Sequence, residues 1–315
     1  MPDSADNRWS HPAVILVATD LSDLDRLMPF AVEQGVVTGA RLILMHVIST
    51  GEAMAADASG MPYYDPMGAV EIAARSLDPY CEEARKRGII CDQVVREGHP
   101  AQQLLAAARQ FHADRILLGT RSRSKVSKLL LGSVAEQVLR SVNIPVMTVG
   151  PEAHLPVNGN DSERIVLHAT TLREASRPSA VLASQIASAM GARLVLLHVL
   201  PPIAEMERRG MPTGLDSAAM QEVRSVAADT VRGTHVSIEP KIAHGNPSIE
   251  ILAESAERRV RLIVLGATQR SVFENLTRDR TIYKVLAHAR CPVMTLREPR
   301  GSEDQAILAR LATHT

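Results

Sequence analysis

The sequence predicts an α/β protein made of two copies of one fold, each a mostly parallel sheet of five strands with helices on both faces. Three observations carry this prediction. Apolar runs of strand length alternate with helix-length segments, the pattern of βαβ units around a parallel sheet. The whole pattern occurs twice within 315 residues, as an internal repeat. Aromatic residues are only 3%, so the core must be Leu, Val, Ile, Ala and Met, which suits buried parallel strands under Ala-rich helices.

Residues 1–10 are polar and read as a frayed tail. The run Ala13 to Thr19 is a buried strand that ends at Asp20, and Leu21 to Asp23 leads into a helix through about Gly35. Arg41 to Ile48 is a second buried strand. Gly51 to Gly68 is rich in Gly, Ala, Pro and Tyr and reads as a loop, followed by a helix to about Arg87. A third strand is expected over Gly88 to Val95, punctuated by Gly98 and Pro100, with an apolar-faced helix over Gln102 to Phe111. Arg115 to Leu118 is a strand closed by Gly119. After a basic loop, Gly132 and Ser133 open an amphipathic helix, with Ser133 and Glu136 at capping-box spacing. Ile144 to Val149 supplies the last strand.

The repeat is read directly. Thr38 to Ile48 matches Met190 to Leu200 at seven of eleven positions. Pro145-Val-Met-Thr148 returns identically as Pro292-Val-Met-Thr295, and Gly98 to Gly119 spans the same 21 residues as Gly245 to Gly266. Only the region after the second strand differs in length, where loops absorb change. The expected division is a first domain over 11–150, a linker over 151–162 rich in Pro, Gly, Asn and Asp, a second domain over 163–298, and a tail over 299–315.

Charge is balanced, 35 basic against 35 acidic residues, so nothing global points to nucleic acid or a membrane surface. No apolar run reaches the roughly 18 residues of a membrane span. The cysteines Cys81, Cys91 and Cys291 show no metal-ligand spacing, and Cys-x9-Cys is only a weak disulfide hint, so a reduced cytoplasmic setting is expected. His46 and His198 occupy equivalent places inside second strands and read as hydrogen-bonded core histidines. His99, in the turn after Gly98, is a minor site candidate.

The loop from Gly119 to Gly132 joins a strand's carboxyl end to a helix amino terminus, where N–H groups and the helix dipole favour an anion. This stretch resembles the nucleotide-binding signature of the universal stress protein family, G-x-x-G, nine residues, then G-[S/T]. Gly119 takes the first position and Gly132-Ser133 the last two, with Arg123 to Leu131 between them. Ser122 stands in place of the second glycine, where a glycine would let the backbone approach phosphate closely.

The resemblance implies two tandem Rossmann-like (adenine nucleotide alpha hydrolase-like) domains packed as an internal pseudo-dimer. It implies a stress-response regulatory protein that binds ATP, with Mg2+ as a companion ion, and meets a protein partner; a homodimer stays open. Carried over residue by residue, the resemblance puts Asp20 against adenine, with Ala18 and Thr19 leading to it. Val47 lies along the base, Leu118 and Gly119 admit the ribose and phosphate, and Ser122, Gly132, Ser133 and Val134 donate to phosphates. Arg121, Arg123, Lys125 and Lys128 add positive charge to the loop. The second copy departs from the set: Asp20 corresponds to Thr171, Ser122 to Gln269, and Gly132-Ser133 to Asp279-Arg280. A carboxylate at Asp279 would cap its helix and repel phosphate.

Two other readings stand beside this one. A scaffold of the same fold with no bound nucleotide is favoured by Ser122 and the altered second copy. An enzyme of the wider nucleotide-binding α/β group lacks support, because no P-loop, no S-G-G-x-D-S loop and no G-x-S-x-G elbow is present. Slow ATP hydrolysis is the most that an enzyme reading would claim.

Overall fold

Parallel strands covered on both faces need apolar side chains at nearly every position. The strands β1 (Val14–Thr19) and β2 (Arg41–Ile48) have them, buried from Ile15 onward and from Leu42 onward. The structure, a computed structural model, describes residues 8–49, 54–56, 60–120, 131–155, 163–172, 176–210, 214–231, 234–267 and 281–297. The chain divides into two compact units, His11–Pro151 and Met1–Ser10 together with Glu152–Thr315.

In the first unit, α1 (Leu24–Thr38) joins β1 to β2. A short antiparallel hairpin follows, β3 (Met54–Ala56) with β4 (Pro62–Tyr64). Next come α2 (Pro66–Lys86), β5 (Cys91–Glu97), α3 (Pro100–Gln110), β6 (Arg115–Gly119), α4 (Ser133–Ser141) and β7 (Val146–Val149). Every pairing among the five long strands is parallel, in the order β7-β6-β1-β2-β5. Successive strand residues point to opposite faces. Leu16, Ile43, Met45, Ile116 and Leu118 therefore pack with Leu104 and Ala107 of α3 and Val138 of α4, while α1 and α2 lie against strands of the same sheet. Each such buried leucine or isoleucine contributes about 2 kcal/mol.

The second unit repeats the plan. Its elements are β8 (Ile165–Ala169), α5 (Arg177–Ala189), β9 (Arg193–Leu200), α6 (Ile203–Arg208), α7 (Leu215–Thr230), β10 (Ile238–His244), α8 (Pro247–Glu257), β11 (Leu262–Ala267), α9 (Thr281–His288) and β12 (Val293–Arg297). The parallel order is β12-β11-β8-β9-β10. Where the copies differ in length, the first carries the β3–β4 hairpin and the second the short α6. No described helix is long and apolar enough to cross a membrane.

Element ends shift from the sequence expectation for identifiable reasons. α1 runs three residues past Gly35 because the left-handed residue that stops it is Gly39, at φ 72°. The third strand begins at Cys91 rather than Gly88. Gly88, at φ 79°, and Ile89, whose N–H reaches the Ala84 carbonyl, still belong to the end of α2. α3 starts earlier, with Pro100 at its first position, where a missing N–H costs nothing.

One buried titratable group went unread in the sequence. His168 in β8 is fully buried, with Nδ1 2.9 Å from the Val264 carbonyl oxygen and Nε2 without a partner. Burial pushes its pKa down to about 4. The unfolded chain therefore takes up this proton first as pH falls from 6.5, and the stabilisation present above that pH is lost on the way down to about 4. The loss amounts to about 3 kcal/mol. Urea unfolding at stepped pH values should show that part of the acid sensitivity vanish in His168→Leu; an unchanged slope between pH 6.5 and 4 would contradict the buried neutral assignment.

Candidate functional site

A doubly wound sheet leaves a crevice where the strand order reverses, outside the carboxyl ends of the strands. In the first copy that point lies between β1 and β6, paired through Ala18 opposite Leu118. β2 flanks β1 on the other side, with Thr19 opposite His46. Ala18, Thr19, Asp20, Val47, Leu118 and Gly119 are thus gathered at one edge of three neighbouring strands. Gly132, Ser133 and Val134 join them through the backbone, because the Gly132 N–H donates to the Thr120 carbonyl at 2.8 Å and ties the start of α4 to the end of β6. Ser122, with Arg121, Arg123, Lys125 and Lys128, lies outside the described residues.

A polar turn stops β1. The Thr19 hydroxyl accepts from the Leu21 N–H at 2.9 Å and donates to Asp23 Oδ1 at 2.6 Å. Leu21 is held at φ 68°, a left-handed conformation that a side-chain-bearing residue adopts at a cost of about 1–2 kcal/mol. His46 Nδ1 donates to the Thr19 carbonyl at 2.9 Å, so this histidine is a hydrogen-bonded core residue. His99 is the residue before α3 and makes no side-chain cap bond.

Asp20 is satisfied on one side only. Its Oδ1 accepts from the Ser22 N–H at 3.0 Å and the Ser22 hydroxyl at 2.6 Å. Its Oδ2 is buried without a hydrogen-bond partner, as is Thr120 Oγ1 just past β6. A buried acceptor taken from water without compensation costs about 1–3 kcal/mol. Such atoms fit a ligand that brings its own donors.

Asp23 and Thr120 were not among the residues singled out from sequence. Asp23 is buried beside Gly119, and burial raises its carboxyl above the ordinary aspartate value, against the lowering effect of the Thr19 hydroxyl; the Asp20 charge adds to the rise. A Cβ on Gly119 would lie 2.3 Å from Asp23 Oδ2. A side chain on Gly119 would therefore have to displace the Asp23 carboxylate, whose other oxygen the Thr19 hydroxyl holds.

The start of α4 corrects the capping-box expectation. Gly132 is the cap residue, at φ −61° and ψ 144°, and Ser133 is already the first helical residue. Glu136 pairs with Arg140 one turn on. A glycine cap brings no side-chain oxygen of its own to the first-turn N–H groups.

The second copy keeps the turn and changes the carboxylate. Thr170 Oγ1 accepts from the Leu172 N–H at 3.1 Å, Leu172 sits at φ 59°, and His198 Nδ1 donates to the Thr170 carbonyl at 2.9 Å. Thr171, in the place of Asp20, is hydrogen-bonded to Ser176 Oγ at 2.6 Å. Gln269, Asp279 and Arg280 lie outside the described residues. Among the described residues no cluster of three His, Cys, Asp or Glu side chains could hold a metal ion.

Comparison with known proteins agrees with this architecture. The sequence profile described as "Universal stress protein family" matches residues 13–150 and 163–297. A universal stress protein of Mycolicibacterium smegmatis is 24% identical over 304 residues, covering 90% of this chain and 96% of that protein. One from Thermus aquaticus is 32% identical over 142 residues, 43% of this chain and 96% of that protein. The crystal structure of a universal stress protein from Archaeoglobus fulgidus superposes with a TM-score of 0.67 at 19% identity, covering 91% of this chain and 99% of that one.

The contact between Asp23 and Gly119 gives a direct test of the site's construction. Gly119→Ala should destabilise the protein by about 1–3 kcal/mol in urea unfolding. Measured in an Asp23→Ala background, the same Gly119→Ala change should cost much less. An equal cost in both backgrounds would mean that the clash is not the cause.

Proposed function

Because the chain belongs to the universal stress protein family, we propose that its first copy binds an adenine nucleotide, ATP, and that occupancy regulates how the protein meets a protein partner. The observation that supports this most is the buried Asp20 Oδ2 without a partner, at the strand-order reversal. The exocyclic amine of adenine is a donor of the kind this acceptor lacks. Thr120 Oγ1, likewise unpartnered and buried, adds a second polar group at the same edge. The glycine-capped start of α4 offers N–H groups and the positive end of a helix dipole to phosphate. Mg2+ in this reading arrives with the polyphosphate as its counter-ion.

In the same reading the second copy serves as a structural counterpart. The Thr171 hydroxyl already has Ser176 as a partner, and Asp279 is the residue that corresponds in sequence to the cap glycine Gly132. A nucleotide-free scaffold is the second reading, favoured by Ser122 at the position of the second signature glycine.

Calorimetric titration with Mg-ATP separates the two. One site per chain is expected. Asp20→Ala should weaken it roughly 10- to 100-fold, the worth of a charge-assisted hydrogen bond, and Gly132→Asp should abolish it. Two sites per chain would overturn the asymmetry, and no heat at millimolar ATP would establish the scaffold reading instead.

A further inference from the structure

Away from the cleft, α2 is fastened to β5 by three contacts in a row. Asp78 Oδ1 accepts from Gln93 Nε2 at 2.8 Å. One helical turn on, the Cys91 thiol lies 2.8 Å from Cys81 Sγ. Another turn on, Arg85 Nη2 donates to the Cys91 carbonyl at 2.6 Å. Residues 78, 81 and 85 share one helix face, and 91 and 93 share one strand face, so the two flanking contacts hold the thiols in register. Both sulfurs are buried, yet Asp78 and Arg85 on either side are exposed, so the pair sits one side chain beneath the surface.

We propose that Cys81 and Cys91 are a peroxide-sensitive dithiol that closes reversibly to an intramolecular disulfide. A disulfide bond is about 2.05 Å long, so closure needs the sulfurs to approach by less than about 1 Å. The oxidant is a hydroperoxide. The Cys81 thiolate attacks the peroxide oxygen to give a sulfenic acid and release hydroxide or alkoxide. The Cys91 thiol then attacks the Cys81 sulfur, forming the S–S bond and expelling water. In total, two thiols and one hydroperoxide yield a disulfide, water and water or an alcohol.

The hydrogen bond between the thiols is consistent with that order of steps. Cys91 donates its S–H to Cys81, which holds Cys81 below an ordinary thiol's pKa, with Arg85 adding to the effect. The same bond, together with burial, pushes Cys91 up. In the proposal Cys91 is the resolving partner, and the Cys91→Ser variant below tests that order. Cys291 is the internal control: it is buried, and burial pushes its pKa up to about 12. Closing the bond cross-links α2 to β5 across nine intervening residues, independently of any nucleotide.

The test uses the full chain, reduced and then exposed either to hydrogen peroxide or to an oxidising glutathione buffer. Blocking with maleimide under denaturing conditions and weighing the intact chain reads the remaining thiols. The reduced protein should take three labels and the oxidised protein one, with dithiothreitol restoring all three. Peptide mapping should join Cys81 to Cys91. In Cys91→Ser, peroxide should instead leave a dimedone-reactive sulfenic acid at Cys81. Three labels after both oxidants, under conditions that consume free glutathione, would overturn the proposal. So would a disulfide that includes Cys291 or links two chains.

Discussion

The carboxyl edge of each sheet depends on how the first strand stops. In both copies a threonine stands at that stop, accepting from the N–H two residues later and giving its carbonyl to a histidine of the second strand. The leucine that follows by two is forced left-handed, at φ 68° in one copy and 59° in the other. A conformation that leucine avoids persists only where its surroundings over-determine it. Here the hydroxyl and the imidazole do so together, and they fix the residue between threonine and leucine at the mouth of the strand-order reversal.

That residue is where the copies part. Thr171 has a hydrogen-bonded hydroxyl and is complete without a ligand. Asp20 has one oxygen engaged by Ser22 and the other buried without a partner. The same backbone thus presents a satisfied group in one copy and an incomplete one in the other. Retaining an unmet acceptor works against stability by about the cost of a lost hydrogen bond, and the proposed adenine contact rests on this atom.

Much of the fold was legible because parallel strands buried on both faces are continuous apolar runs, and Arg41 to Ile48 was bounded as the structure has it. Helix ends were less legible. Whether Gly35 or Gly39 stops α1 depends on which glycine turns left-handed, and both residues fit the composition rule. The positions Asp20, Gly119 and Gly132 were reached through the resemblance to the universal stress protein signature, which spacing by itself does not supply for Asp20. Asp23 could not be reached that way, since three residues past Asp20 it reads as an ordinary helix-entry carboxylate, and only the fold shows it buried against Gly119. Ser133 was misread as a cap because glycine and serine are both good caps and stand side by side. The pairing of Cys81 with Cys91 depends on a helix face meeting a strand face, which a spacing of nine residues does not encode.

The most direct test of the central claim, that the first copy is a nucleotide site and the second is not, is a crystal structure of the chain grown with Mg2+ and a non-hydrolysable ATP analogue. Density for one nucleotide is expected, with its base amine within hydrogen-bond distance of Asp20 Oδ2 and its phosphates on the first turn of the helix that begins at Ser133. A nucleotide seated in the second copy, or an Asp20 carboxylate that stays unpartnered at saturating analogue, would contradict it.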